Sequence, residues 1–341
     1  MAIDLLQKLI NAHGISGKEM DVRGIISSEI KKYVDTVRVD KVGNLIAHKK
    51  GKGPTVMFVA HMDEVGLIVS KIEDDTYGKS EDGKIYFRPI GGVEPFTLIT
   101  QKVAIDGKVA GVITTKEMSE GAAIESVPTI DDVYVDTGLT KKELEKKGIE
   151  IGSYISFEDC GYCTLGSSNV ISGKAIDDRA GCYMLLELAK RLKRYKTNIY
   201  YVFTVQEELG LHGAKISTYE VDPDWAIVVD VTDSNGKTMR TGEGPYITIK
   251  DADMIGNHCI NGWLKDVAKK NKIPLQLSVS EFGTTDALKI SFSKGGIPTS
   301  VVGISVKNLH TSIGMADVRD INNCIRLLEL LHKSPPNKCI V

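Results

Sequence analysis

The chain has 341 residues, which suits one large domain or two unequal ones. Hydrophobic residues at 42% and charged residues at 26% fit a globular protein and exclude a disordered or fibrous one. With 43 Lys and Arg against 45 Asp and Glu the net charge is -2, so no basic excess points to nucleic acid.

No apolar stretch approaches the ~18 residues a membrane span needs. Asp4, Lys8 and Asn11 interrupt the start where a signal peptide keeps an apolar core, so no membrane partner and a cytoplasmic location are expected. Six cysteines in a chain this long are too dilute for a disulfide scaffold and are expected to stay thiols.

Leu5, Leu6, Leu9 and Ile10 recur at helical spacing before the breakers Gly14 and Gly17. Val22, Ile25, Ile26, Ile30 and Tyr33 form the apolar stripe of a second helix. Short strands are predicted over 37–39 and 45–47, joined by a turn at Gly43 and Asn44. Thr55 to Ala60 is a near-continuous apolar and β-branched run, the pattern of a strand covered on both faces.

From about Ser70 to Ser167 the texture becomes short alternating runs at 85–88, 102–105, 109–113, 133–135 and 154–157, with one helical stretch at 141–147. That reads as a small barrel-like or sandwich-like β domain whose strand edges could pair with a neighbour. Afterwards come a helix at 179–194, strands at 199–205, 226–229, 275–279 and 299–302, and a closing helix at 322–332. The expected fold is α/β: a doubly wound, mixed-sheet domain in two pieces, 1–69 and 168–341, with a β domain inserted at 70–167.

Three buried-looking strands run out into acidic or imidazole side chains: His61 and Asp63, Glu207 and Glu208, and Asp230. Ligands of open α/β sheets bind beyond the carboxyl ends of the strands, so these groups could meet there. His61 and Asp63 share one side of an extended chain, which suits a metal ligand and the carboxylate that orients it. Glu207 and Glu208 face opposite ways, which suits one ligand and one free base. Asp177 and Asp178 precede a helix, so they either cap it or turn one carboxylate to the crevice, where its two oxygens could bridge two cations. His310 in Asn308-Leu309-His310-Thr311-Ser312 is the remaining candidate. Two imidazoles and three carboxylates (His61, Asp177, Glu208, Asp230 and His310) suit a pair of Zn²⁺, Co²⁺ or Mn²⁺ ions.

The motifs His61-Met62-Asp63-Glu64-Val65-Gly66, Ala175-Ile176-Asp177-Asp178-Arg179, Gln206-Glu207-Glu208-Leu209-Gly210, Val229-Asp230-Val231-Thr232, Gly283-Thr284-Thr285-Asp286-Ala287 and His310-Thr311-Ser312 occur in this order. Together with Gly14-Ile15-Ser16-Gly17, Glu19, Asp40 and Gly43-Asn44, the chain resembles, end to end, the TET or glutamyl aminopeptidase family of di-metal peptidases of clan MH. The resemblance implies that Asp177 bridges two metals, that His61 and Asp230 complete one site, and that Glu208 and His310 complete the other. It makes Glu207 the general base and Asp63 the group that orients His61, with an unusual peptide geometry between Asp177 and Asp178. It further implies a zinc-peptidase (phosphorylase/hydrolase-like) fold with the inserted β domain as a small β-barrel that serves dimerisation, dimers assembling into a tetrahedral dodecamer, and short peptides as substrates. Ser305-Val306-Lys307-Asn308 and Phe282 before Gly283 depart from the family pattern.

Removal of N-terminal residues by a two-metal-activated water is the expected activity. The alternatives are a deacylase or carboxypeptidase on the same metal pair, an endoglucanase, since some family members are described as endoglucanase or cellulase M, and a non-catalytic metal- or peptide-binding protein. Glycoside hydrolysis uses two carboxyl groups about 5 to 9 Å apart and has no use for imidazoles among them. Cys160 and Cys163 are read as structural, Cys182 as core, and Thr285-Asp286 as bordering the substrate pocket.

Overall fold

The computed structural model describes residues 3–74, 83–115, 127–158, 161–167, 169–193 and 196–332. Helices α1 (Ile3–Asn11) and α2 (Met20–Ile30) lead into strands β1 (Thr36–Val39), β2 (Leu45–Lys49) and β3 (Thr55–His61). Next come β4 (Gly66–Asp74), β5 (Gly83–Ile90), β6 (Lys102–Ile105), β7 (Val109–Thr115), β8 (Val133–Asp136), helix α3 (Lys141–Lys146) and β9 (Tyr154–Phe157). The chain continues through β10 (Cys163–Thr164), β11 (Val170–Gly173), α4 (Ile176–Arg191), β12 (Asn198–Thr204), α5 (His212–Val221) and β13 (Trp225–Asp233). It finishes with β14 (Tyr246–Lys250), α6 (His258–Lys270), β15 (Gln276–Val279), α7 (Asp286–Ser291), β16 (Thr299–Val306), β17 (Gly314–Asp317) and α8 (Val318–His332).

An eight-stranded mixed sheet runs in the order β1-β2-β12-β3-β13-β16-β14-β15, and its middle strands β12, β3, β13 and β16 are parallel. Alternation along β3 divides the core as a two-sided strand must. Val56, Phe58 and Ala60 pack under α1, α2, α4, α6 and α8, while Met57 and Val59 meet α5 and α7 on the other face. β4 to β9 close into an antiparallel six-stranded barrel around Leu67, Val69, Phe87, Ile105, Ile113 and Val135. Closure removes the free strand edges that the alternating texture suggested.

The elements α5, α6, α7 and β14 are not among those predicted, although α6 carries Ile260, Leu264 and Ala268 at helical spacing on its buried face. In α5 the buried face is Gly213, Ala214, Ser217, Thr218 and Val221, too small and polar to register as a hydrophobic stripe. Among the described cysteines, Cys163, Cys182 and Cys324 are free, whereas Cys259 is disulfide-bonded. Low cysteine density argues against a scaffold of many bridges but leaves a single one undecided; Cys160 and Cys339 lie outside the described residues. No described helix is long and apolar enough to cross a membrane.

A buried ionic cluster ties the N-terminal segment to the sheet. Arg179, wholly buried, donates to the carbonyls of Met62, Leu9, Ala12 and Gly14 and to Glu64 Oε1 at 3.1 Å. Lys174 Nζ reaches both Glu64 oxygens at 2.7 and 2.8 Å. Burial works against the Glu64 charge, but Lys174 and Arg179 hold its carboxyl below the usual range. Removing one partner of such a set strands the other charges, so Glu64→Gln is expected to cost about 3–5 kcal/mol in denaturant unfolding at pH 7. Because the folded pKa is depressed, this stabilisation is complete above the unfolded value of about 4.3 and fades as pH falls through the lower folded value. The gap between wild type and variant should therefore narrow below about pH 4; a gap that stays constant or widens there would refute the assignment.

Candidate metal centre and active site

Strand register places the site. Thr204 of β12 lies opposite His61 of β3, and Val228 of β13 lies opposite Val59, so His61 and Asp230 each stand two residues beyond that pair. Glu207 and Glu208 follow β12 after a turn at Gln206, while Asp177 and Asp178 open α4. Ala175, Gln206 and His310 are non-glycine residues with φ of 51°, 54° and 56°, a left-handed conformation that costs roughly 1–2 kcal/mol each. Such outlying backbone concentrates at functional sites.

All five candidate ligands come together. His61 Nε2 lies 3.0 Å from Asp177 Oδ1 and 3.8 Å from Asp230 Oδ1. His310 Nε2 lies 3.3 Å from Asp177 Oδ2 and 3.5 Å from Glu208 Oε2. The two oxygens of Asp177 thus face two different imidazoles. Ligand atoms of His61, Asp177 and Glu208 lie within 4.8 Å of one another, and so do those of His61, Asp178 and Asp230. The Asp177–Asp178 peptide is cis. Asp178 accepts the Gly181 amide through Oδ1 at 3.0 Å, a cap-like contact, while its Oδ2 has no partner.

Glu207 Oε2 stands 4.0 Å from His61 Nε2. The Asp63 carboxylate accepts the amides of Glu207 and Glu208 at 3.0 and 3.1 Å and the Ser16 hydroxyl at 2.5 Å. The His61 Nδ1 atom is nearer to the Asp63 carbonyl, at 3.1 Å, than to its carboxylate, at 3.5 Å. Asp63 therefore contacts His61 mainly through its backbone and fixes the glutamate pair through its side chain. Sequence reading missed that second function, as well as Glu19, which accepts the amides of Gly17 and Gln206. Glu19 and Ser16 stood in the quoted motifs, but nothing in their spacing gave them a task. Cys182 is buried core, its thiol donating to the His61 carbonyl. Thr285 lines the cavity, but Asp286 is buried and accepts the Thr204 hydroxyl at 2.6 Å.

The electrostatics describe a cage short of positive charge. Burial raises Glu208 to about 8, with Asp177 adding to the shift. Burial likewise raises Asp230 to about 7, against the pull of His61, and pushes Glu207 well above the carboxylate range. Burial opposes the charge on both imidazoles, yet Asp177 and Glu208 lift His310 to about 9, and Glu207, Asp177 and Asp63 hold His61 well above the imidazole range. Glu208 Oε1 is buried without a partner. Nitrogen and oxygen donors, an excess of carboxylates and orphaned buried oxygens all fit divalent cations.

The M42 glutamyl aminopeptidase family model matches residues 43–327. The chain belongs to this family. A lysyl aminopeptidase of Pyrococcus furiosus is 34% identical over 96% of each chain. Among solved structures, a TET aminopeptidase from a Thaumarchaeota archaeon of marine sediment superposes with a TM-score of 0.91 at 31% identity, covering 99% of this chain and 97% of that one. The TET1 peptidase of Pyrococcus horikoshii, described as assembling into a tetrahedron or a large octahedral shell, gives a TM-score of 0.85 at 29% identity over 97% and 98%. The M42 chain is accordingly a peptide hydrolase, a metallo-aminopeptidase with a cluster of candidate divalent-metal ligands at the carboxyl ends of its parallel strands.

The barrel forms part of this site's wall. A Cβ on Gly92, just past β5, would lie 2.8 Å from His310 Nδ1, and one on Gly91, whose φ is +83°, would lie 3.2 Å from Glu208 Oε2. Gly92→Ala in the M42 chain is therefore expected to displace the His310 ring and weaken metal retention at least tenfold, the scale seen when support around a metal ligand is disturbed. Metal content after dialysis, set against equal melting temperatures of the two proteins stripped of metal, checks this; full retention would show that the ring tolerates the methyl group.

Proposed function

We propose that this aminopeptidase binds two divalent cations per chain, Zn²⁺, Co²⁺ or Mn²⁺, with Asp177 shared between them. The observation that carries the reading is that Asp177 presents one oxygen beside His61 and the other beside His310. His61 and Asp230 would complete one site, and Glu208 and His310 the other. Asp178 is excluded from the shared position because one of its oxygens serves the Gly181 amide. Two cations there would polarise the scissile carbonyl and lower the pKa of a water between them toward about 7.

Glu207 is the general base. It is buried, close to His61 and held by its own amide on Asp63, which leaves its carboxylate free to take a proton from the attacking water and deliver one to the departing amine. Asp63 is a positioning residue. Two imidazoles set among the carboxylates count against glycoside hydrolysis. N-acetylated peptides, if cleaved as well as free ones, would instead assign a deacylase.

Glu207→Gln should lower kcat by a factor of about 10²–10⁴ while metal content stays at wild-type level; near-normal turnover would remove Glu207 from the mechanism. Chelation should abolish peptide hydrolysis, and Zn²⁺ or Co²⁺ should restore it, with titration calorimetry giving two sites per chain. A single site would refute the shared role of Asp177.

The reading includes a homo-oligomer of dimers forming a tetrahedral dodecamer, with the closed barrel as the dimer contact and short peptides as substrates. Exposed Phe96, Val112 and Ile151 on the barrel region give such a contact apolar surface, and the assembling TET1 relative supports it. A cytoplasmic setting belongs to this reading; the exposed free thiol of Cys163 fits it and the disulfide-bonded Cys259 counts against it. Light scattering should give the mass of twelve chains; a monomer with full activity would overturn this assembly.

A further inference from the structure

The cavity that contains the candidate ligands extends well beyond them, to about 620 Å³. Its further wall includes Asp251, Ser278, Ser280 and Thr284, with the exposed Asp233 at the end of β13. Among the described residues no lysine or arginine lines it. Backbone pairing brings this wall together: the Ser280 amide donates to the Lys250 carbonyl at 3.0 Å and the Ala252 amide to the Gly283 carbonyl at 3.1 Å. The loop after β15 therefore lies against the end of β14.

Asp251 is 7% exposed, and its Oδ1 accepts the amides of Asp253 and Met254 at 2.9 and 2.7 Å. Its Oδ2 has no hydrogen-bond partner, and neither does the buried Thr284 Oγ1. The neighbouring Lys250 acts on it only through its charge, because its Nζ donates to the carbonyls of Asp251 and Ser280 and not to the carboxylate. Asp251 lines the cavity, and its buried second oxygen is an acceptor without a donor.

We propose that Asp251, with Thr284 beside it, selects the side chain of the substrate's first residue, and that the enzyme prefers peptides beginning with Lys or Arg. The inference rests on the aminopeptidase reading above. An ammonium offers three N–H donors and a guanidinium five, enough to satisfy both idle oxygens with charge-assisted bonds. An aliphatic first residue would leave Asp251 buried and unpaired, and an acidic one would set like charges together.

The test uses the metal-loaded full chain and the p-nitroanilides of Lys, Arg, Leu and Glu. The Lys and Arg reporters should exceed the Leu and Glu reporters at least tenfold in kcat/KM. Asp251→Asn should lower the Lys and Arg values by roughly 10–100-fold, mainly through KM, and change the Leu value less than about threefold. Leu or Glu turned over as well as Lys, or an equal loss on all four in the variant, overturns the specificity assignment while the aminopeptidase reading stands. Failure to cleave any of the four sinks that reading and takes this inference with it. Should the variant not fold, the wild-type enzyme still decides: free L-lysine must raise its melting temperature more than L-norleucine, and equal shifts refute the proposal.

Discussion

Everything at the site follows from too many carboxylates sharing one dry crevice. Asp177, Glu207, Glu208 and Asp230 surround two imidazoles, and burial pushes three of the four toward their neutral forms. A chain fold alone has little to gain from such an arrangement, because isolated buried charge is costly. It becomes favourable when cations supply the missing charge, so the fold and its ions form one electrostatic unit. The parallel register of β12, β3 and β13 makes the crowding possible, since strands with a common direction end at a common edge.

A second layer holds that edge in place. Asp63 gathers Ser16, Glu207 and Glu208 around one carboxylate, and Glu64, the next residue, anchors Lys174 and Arg179. One short segment after β3 thus sets the glutamate pair, the start of α4 and the N-terminal helix. Left-handed residues at 175, 206 and 310 show where this layer overrides local backbone preference.

Much of this was legible in the residues. The continuous apolar runs of β3 and β13 marked buried parallel strands, and their endings in His61 and Asp230 marked the crevice. The adjacency of Glu207 and Glu208, which points them opposite ways in an extended chain, suggested one ligand and one free base. What stayed hidden was carried by contacts rather than periodicity. The face of α5 is built from small residues, Asp63 acts on residues 144 and 145 positions away, and the presence of Asp251 and Thr284 on one cavity wall depends on a loop folding back on β14. The barrel, expected from the texture and the resemblance together, is what the structure holds, although alternation alone fixes which way side chains point and not whether the first strand finds the last.

The turn at Gly91 and Gly92 gives the barrel a standing beyond that of an appended module. It abuts Glu208 and His310 with no space for a side chain, and Ser312 donates to Gln101 a few residues further along the same seam. Among the described residues none from β6, β7 or β8 lines the crevice, which leaves those strands latitude for change. The seam has no such latitude: grafting this barrel onto a cousin, or swapping a cousin's barrel in, would carry across a piece of the reaction chamber along with the surface that neighbours see.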